Sequence, residues 1–262
     1  MPALPIYPTA EPFLPAKITL SALHDASKSC QGCDLYKNAT LTVFGEGPKG
    51  ARVMFVGEQP GDQEDVAGKP FVGPSGAMLD SILDKVGIDR SLVYVTNAVK
   101  HFKFEPRGKR RIHAKPSARQ IAACKPWLKA EVECVRPDVI VALGATAAQS
   151  MLGNQFKVTR QRGQPLRDTT WGPCVIATVH PSSLLRAPDE EARRAAIAAF
   201  EADLRVVKKE MDALDGAGKK APQSARRAGD EHAHPGQEPG DLFGKASPAT
   251  PVRARRPRRR PA

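Results

Sequence analysis

The chain has 262 residues, with 40 Lys+Arg against 28 Asp+Glu and a formal charge of +12, a balance that favours polyanionic partners and puts nucleic acid first. Half of that excess lies after Asp212, in a segment whose only large apolar side chains are Leu214, Leu242, Phe243 and Val252; one domain is therefore expected, within residues 1–212. No apolar run approaches the roughly 18–20 residues that span a bilayer, and residues 1–16 hold no Lys or Arg, so neither membrane insertion nor secretion is expected and the cytoplasm is the expected compartment.

In chain order, residues 1–16 read as a Pro-punctuated extension before a domain over 17–212. Cys30-Gln-Gly-Cys33 is the first motif. Its spacing suits a redox pair, half of a zinc site or half of an iron–sulfur site, and does not choose among them. The 5 cysteines make no even disulfide framework, which favours metal-ligand spacing in a reducing compartment. Four apolar runs bounded by Gly and Pro follow, at 52–57, 92–97, 139–144 and 175–180, each of the length of a buried strand.

Helical patterns separate the runs. Residues 75–86 begin at Ser75 as N-cap, and 117–135 begin with the capping box Ser117-Ala-Arg-Gln120, with Pro126 expected to kink or divide that helix. A short helix is expected over 145–152, and a long one over 188–211 that opens on Pro, Asp and Glu. The alternation predicts an α/β fold: a three-layer αβα arrangement around a central four-stranded, mostly parallel sheet, with the ligand site beyond the carboxyl ends of the strands. Residues 213–262 carry 7 Pro and 6 Gly and end in an arginine run at 253–260, a composition expected to stay a disordered basic tail.

Three strand-end loops hold the functional groups. Gly57-Glu58-Gln59-Pro60-Gly61 places a carboxylate and an amide in a tight turn after the first strand. The connection 101–116 joins six Lys/Arg, two His and two Phe, pairing charges for phosphates with aromatics for bases. His113 within it is suited to act as base or nucleophile once a carboxylate orients it. His180 follows the fourth strand directly, held extended by Pro181. Cys124 and Cys134 are the candidates to complete a metal site with Cys30 and Cys33, but ten helical residues turn through about 280° net, so the two do not share a face. Cys174 adjoins a strand and reads as a small buried hydrophobe.

Taken together, Cys30-x-x-Cys33, Gly57-Glu-Gln-Pro-Gly61, Gly68-Lys-Pro-Phe-Val-Gly73, Thr96-Asn-Ala-Val-Lys100 and His180-Pro-Ser-Ser-Leu-Leu-Arg186 resemble the family 4 iron–sulfur uracil-DNA glycosylases over residues 17–210. Gln59, where the family usually has a small residue, and the insert Lys109-Arg-Arg-Ile-His113 resemble the UdgX group within it. That group excises uracil and remains covalently attached to the sugar, and the resemblance makes His113 the attaching residue. It implies that Glu58 orients or deprotonates His113 and favours the cationic sugar, that Gln59 and Arg111 fix the loop and the phosphate, and that His180 donates to the uracil oxygen. It places Phe71 against the flipped uracil, Asn97 on the uracil edge, and Lys109, Arg110 and Ser182 among the DNA contacts. Read alone, Asn97 is a strand-end cap and Phe71 a core aromatic.

The resemblance also implies a 4Fe-4S cluster of structural role on Cys30, Cys33, Cys124 and His101, with His101 standing where the family has cysteine and Cys134 as the competing ligand. The expected partner is uracil-containing DNA, single strands included, met by a monomer that is nucleoid-associated when bound. Two rival readings remain open: an ordinary glycosylase that activates water and turns over, and a non-catalytic iron–sulfur DNA-binding module.

Overall fold

The computed structural model describes residues 9–220, with side chains described through Leu214. In chain order the principal elements are α1 (Leu20–Ser27), β1 (Val53–Gly57), α2 (Asp62–Ala67), α3 (Pro74–Val86), β2 (Val93–Asn97), β3 (Phe104–Arg107), β4 (Arg110–His113), α4 (Ala118–Val135), β5 (Val139–Leu143), α5 (Gly144–Leu152), α6 (Val158–Gln161), β6 (Pro165–Thr169), β7 (Gly172–Thr178), α7 (Pro181–Leu185) and α8 (Glu190–Lys220).

The four expected strands are β1, β2, β5 and β7, all parallel, within a five-stranded sheet of order β2-β1-β5-β7-β6. Side chains alternate between its faces. Val53, Phe55, Val93, Val95, Val139 and Val141 pack with Leu79 and Leu83 of α3 and Phe200, Leu204 and Val207 of α8. Met54, Val56, Tyr94, Ile140 and Ala142 pack with Leu128 of α4 and Ala147, Ala148 and Met151 of α5. Each strand is thus covered on both sides, which is why the four runs read as continuously apolar. A third cluster joins Leu23, Cys30, Leu35, Phe44, Val99, Cys124 and Trp127 beneath α1 and α4.

Several expectations change. The sheet has a fifth strand, β6, antiparallel on β7 at the edge; it opens on Pro165 and is half exposed, so neither its pattern nor its residue types marked it. The N-cap of α3 is Gly73 rather than Ser75, because Pro74 takes the first helical position, where its missing N–H is not needed. Pro126 lies inside α4 without dividing it, and the capping box on Ser117 and Gln120 is formed. The terminal helix begins at Glu190, with Asp189 accepting from the Ala192 N–H at 2.7 Å, and runs to Lys220, beyond the expected end at 211. Of the expected tail, residues 221–262 lie outside the described residues, as do residues 1–8 of the N-terminal extension. Among the described residues no helix is long and apolar enough to cross a membrane.

The largest change concerns 101–116, expected as a loop: it folds back as an antiparallel hairpin, β3 on β4, with Phe104 opposite His113. Gly108 at its tip has φ +59°, a left-handed conformation that a residue without Cβ adopts at little cost. Four-residue strands of mixed polar character carry too little period for sequence to distinguish them from a loop.

Candidate functional site

The carboxyl ends of β1, β2, β5 and β7 surround a cavity of about 840 Å³, where open parallel sheets place their ligands. Glu58, Gln59, Phe71, Asn97, His113, His180 and Ser182 all line it. Residues far apart in sequence meet there because each follows a strand of one sheet or a segment packed over its end.

Asn97 ends β2 opposite Gly57, and a Cβ on Gly57 would collide with Asn97 Oδ1 and press on the Phe71 ring. The glycine makes room for the amide to lie across the strand end. Ala98 N–H donates to Gly57 O at 2.9 Å and Val99 N–H to Glu58 O at 3.0 Å, which locks the Glu58 turn to the segment after Asn97. Phe71 has φ +57°, a strained conformation for an aromatic residue that the surroundings must impose. One constraint is Glu64, whose Oε1 accepts the Gly73 N–H at 3.1 Å and so holds the end of the Gly68–Gly73 motif. The Phe71 and His180 rings lie 6.3 Å apart between centroids and 24° from parallel.

The His180 tautomer follows from its neighbours. Ser182 N–H donates to Nδ1 at 3.2 Å, so Nδ1 carries the lone pair and the proton sits on Nε2. Burial, reinforced by the positive Arg186 and by His113, lowers the His180 pKa from its ordinary 6.5 to about 4. At neutral pH His180 is an uncharged N–H donor.

His113 is carried to the cavity by β4. Its Nε2 lies 3.6 Å from Glu58 Oε1 and 3.0 Å from Gln59 Nε2. The Gln59 amide cannot flip: Oε1 accepts Lys103 N–H at 3.1 Å, while Nε2 donates to Lys103 O and Ala114 O, each at 3.1 Å. Gln59 Nε2 spends its two hydrogens on those carbonyls while lying against His113 Nε2, and so fixes the imidazole between the amide and Glu58. The same three bonds tether both ends of the hairpin to the Glu58 turn.

Arg111 does not line the cavity. Its guanidinium pairs with Asp62 and with Asp65, whose side chain is wholly buried, and donates to Thr40 Oγ1 at 3.0 Å. It also lies over the Phe102 and Phe104 rings, 5.5 Å and 5.1 Å from their centroids. Two carboxylates thus take up the charge that the resemblance directs to the loop and the phosphate. Lys109 and Arg110 are exposed at the hairpin tip, away from the cavity lining. Sequence reasoning gave no individual role to Glu64, Lys115, Thr146 or Arg186, which also line the cavity; Arg186 ends the His180–Arg186 motif, whereas Glu64 in α2 and Thr146 in α5 carry no local signal.

The thiols form a separate group. Burial is the main cause raising the pKa of Cys33 to about 11 and of Cys124 to about 12, and the charge of Cys30 contributes to both. Cys30, Cys33 and Cys124 thus lie near enough to feel one another. Trp127 Nε1–H donates to Cys30 Sγ at 3.2 Å and Lys100 N–H to Cys124 Sγ at 3.3 Å. Cys134 is influenced instead by Lys49, Glu133 and Glu131. His101 is buried, its pKa lowered to about 4 by that burial, and its Nε2 lies 2.8 Å from Thr42 Oγ1. Among the described residues no group of three or more His, Cys, Asp or Glu side chains converges to hold a metal ion.

The family model described as the uracil DNA glycosylase superfamily matches residues 44–205. A type-4 uracil-DNA glycosylase of Thermotoga maritima is 42% identical over 184 residues, 70% of this chain and 92% of that protein. A type-4 uracil-DNA glycosylase of Archaeoglobus fulgidus is 37% identical over 166 residues, 61% of this chain and 80% of that protein. A type-5 uracil-DNA glycosylase of Pyrobaculum aerophilum is 31% identical over 155 residues, covering 53% of this chain and 64% of its own length.

Proposed function

The chain belongs to the uracil DNA glycosylase superfamily, and on that premise we propose that it excises uracil from DNA and then retains the abasic sugar on His113. Excision from DNA is the activity of the family; capture is the reading that the hairpin supports. The observation that carries it is the position of His113 Nε2, a ring nitrogen at the cavity, 3.6 Å from Glu58 Oε1.

Cleavage of the N-glycosidic bond leaves its electron pair on uracil and positive charge on C1′. Glu58 stabilises that charge. His180, neutral with Nε2–H, donates to the uracil oxygen on which negative charge grows. Asn97 accepts from the uracil ring N–H and donates to a carbonyl oxygen, a pairing that cytosine mismatches, while Phe71 covers the base face. His113 Nε2 then forms the bond to C1′ as the imidazole gives up its one ring proton, from Nε2 to Glu58 or from Nδ1 to solvent, and uracil takes up one proton, so charge and atoms balance.

For a cluster, the donor chemistry fits. Cys30 and Cys124 belong to one packed cluster with Cys33 against it, and N–H groups already face two of the sulfurs. Metal binding removes thiol protons that burial otherwise retains. His101, with Nε2 toward Thr42, would supply the fourth ligand, and Cys134 has its charge neighbours elsewhere. When bound, a 4Fe-4S group supplies a cross-link between the Cys30 loop, the segment after β2 and α4, since glycosidic cleavage transfers no electrons.

A second reading, a water-activating enzyme that turns over, is favoured by the relatives' names as type-4 uracil-DNA glycosylases. Incubation with a single-stranded uracil oligonucleotide, followed by a denaturing gel, separates the two. Capture gives a heat-resistant shift that needs both uracil and His113, with product ending at one per enzyme. Free uracil with continued turnover and no shift overturns capture. Glu58→Gln is expected to slow adduct formation, and an unchanged adduct rate would count against its assigned role.

A further inference from the structure

Lys100 and Glu131 form an ion pair with neither side chain exposed to solvent, and the chemistry above uses neither charge. All three Lys100 ammonium hydrogens are spent: Nζ donates to Asn97 O at 2.8 Å, to Thr96 Oγ1 at 2.6 Å and to Glu131 Oε2. Glu131, reaching in from α4, accepts at Oε1 from Tyr94 OH at 3.0 Å, Gly45 N–H at 3.0 Å and Thr96 Oγ1 at 2.9 Å. Such a pair adds little net stability, because desolvating two charges offsets most of their attraction, and apolar replacements of similar volume are often neutral or stabilising. What it does impose is direction.

That direction falls on Asn97. The peptide plane joining Asn97 to Ala98 is held at both edges: its C=O accepts from Lys100 Nζ at 2.8 Å, and its N–H donates to Gly57 O at 2.9 Å. With that plane fixed and Asn97 itself paired with Gly57 at the end of the β1–β2 ladder, its Cα–Cβ bond is held, and the side chain lies over the space left by Gly57. We propose that Lys100 and Glu131 are positioning residues for base recognition, a buried pair that aims the Asn97 amide at the uracil edge from behind the sheet. The proposal rests on the reading of Asn97 as the base-reading residue.

The test uses the full chain carrying Lys100→Met and Glu131→Gln together, which removes both charges at similar volume. The readouts are the thermal midpoint and inhibition of excision by free uracil, whose binding depends on the base-reading groups and not on DNA. Uracil inhibition is expected to weaken by about tenfold in the folded variant, and any fall in the midpoint is read separately, since Lys100→Met leaves Asn97 O without its buried donor. Adding Asn97→Ala to the double variant is expected to weaken it little further, since groups acting through one another are non-additive. Parental uracil inhibition in the folded double variant, or additive losses, would overturn the proposal. If Asn97→Ala alone leaves uracil inhibition unchanged, the base-reading role fails and takes this proposal with it. Thr96→Val, which removes the shared hydroxyl and keeps both charges, is the variant to use if the double change folds poorly. It is expected to weaken uracil inhibition severalfold, and no change there also overturns the pair's role.

Discussion

The carbonyl of Phe71 occupies the space that a Cβ on Gly76 would fill. The two residues are therefore one feature: Gly76, buried in the first turn of α3, lets the strained Phe71 backbone, at φ +57°, approach the helix. Gly76→Ala is expected to push Phe71 out of its left-handed conformation and cost about 1–3 kcal/mol by overpacking. Excision should fall by more than the lost folded fraction, because the ring that covers the base moves. Thermal unfolding alongside single-turnover excision checks this, and a stability loss with unchanged excision would remove Phe71 placement from the argument.

Arg111 holds the hairpin that carries His113. Arg111→Leu leaves the buried Asp65 carboxylate with only the Thr40 N–H, at 3.0 Å to each oxygen, an expected loss of about 1–3 kcal/mol. Hydrogen exchange over 104–113 should accelerate and adduct formation should slow, while uracil release is reduced less. Unchanged exchange in that segment would mean that Gln59 and strand pairing hold the hairpin unaided.

His180 gives a pH dependence of definite sign. Its pKa is lowered to about 4 in the fold, from 6.5, so the unfolded chain binds the extra proton first as pH drops. Its contribution to stability is present above about pH 6.5 and is lost as pH falls toward about 4. The His180 N–H donor stays neutral across the same window, so excision corrected for folded fraction should show no acid limb near 6.5 from this residue. Single-turnover profiles of the parent and His180→Asn across pH 4–8 test it; a limb near 6.5 that disappears in the variant would contradict the assignment.

The thiol group separates two cysteines. Cys124 feels the charges of Cys30 and Cys33, whereas Cys134 feels those of Lys49, Glu133, Glu131 and Arg136. Cys124→Ala is expected to lower iron content and visible absorbance of the purified protein, and Cys134→Ala to leave both at the parental level. The reverse pattern would transfer the ligand role to Cys134.

Much of this molecule is legible in the linear chain for simple reasons. Strands buried on both faces need unbroken apolar runs, and β1, β2, β5 and β7 have them. A helix start needs a partner for its free N–H groups, and Ser117 with Gln120 supplies one. Chemistry at the ends of parallel strands places functional groups directly after each run, as with Glu58, Asn97 and His180.

What the chain does not display is partnership across distance. The resemblance gives Arg111 a part in fixing the loop and the phosphate; the fold brings Asp62 and Asp65 to it and pairs its charge with them. Lys100 reads as one more basic residue until Glu131 of α4, 31 residues on, meets it out of water. The hairpin that delivers His113 depends on Gln59 gripping Lys103 and Ala114, contacts without any local period. Sequence by itself determined which segments must be buried and which side chains sit at strand ends, since burial and alternation are local properties. Tertiary structure alone decided which charges are spent on each other and which face the cavity, because electrostatic pairing depends on distance in space.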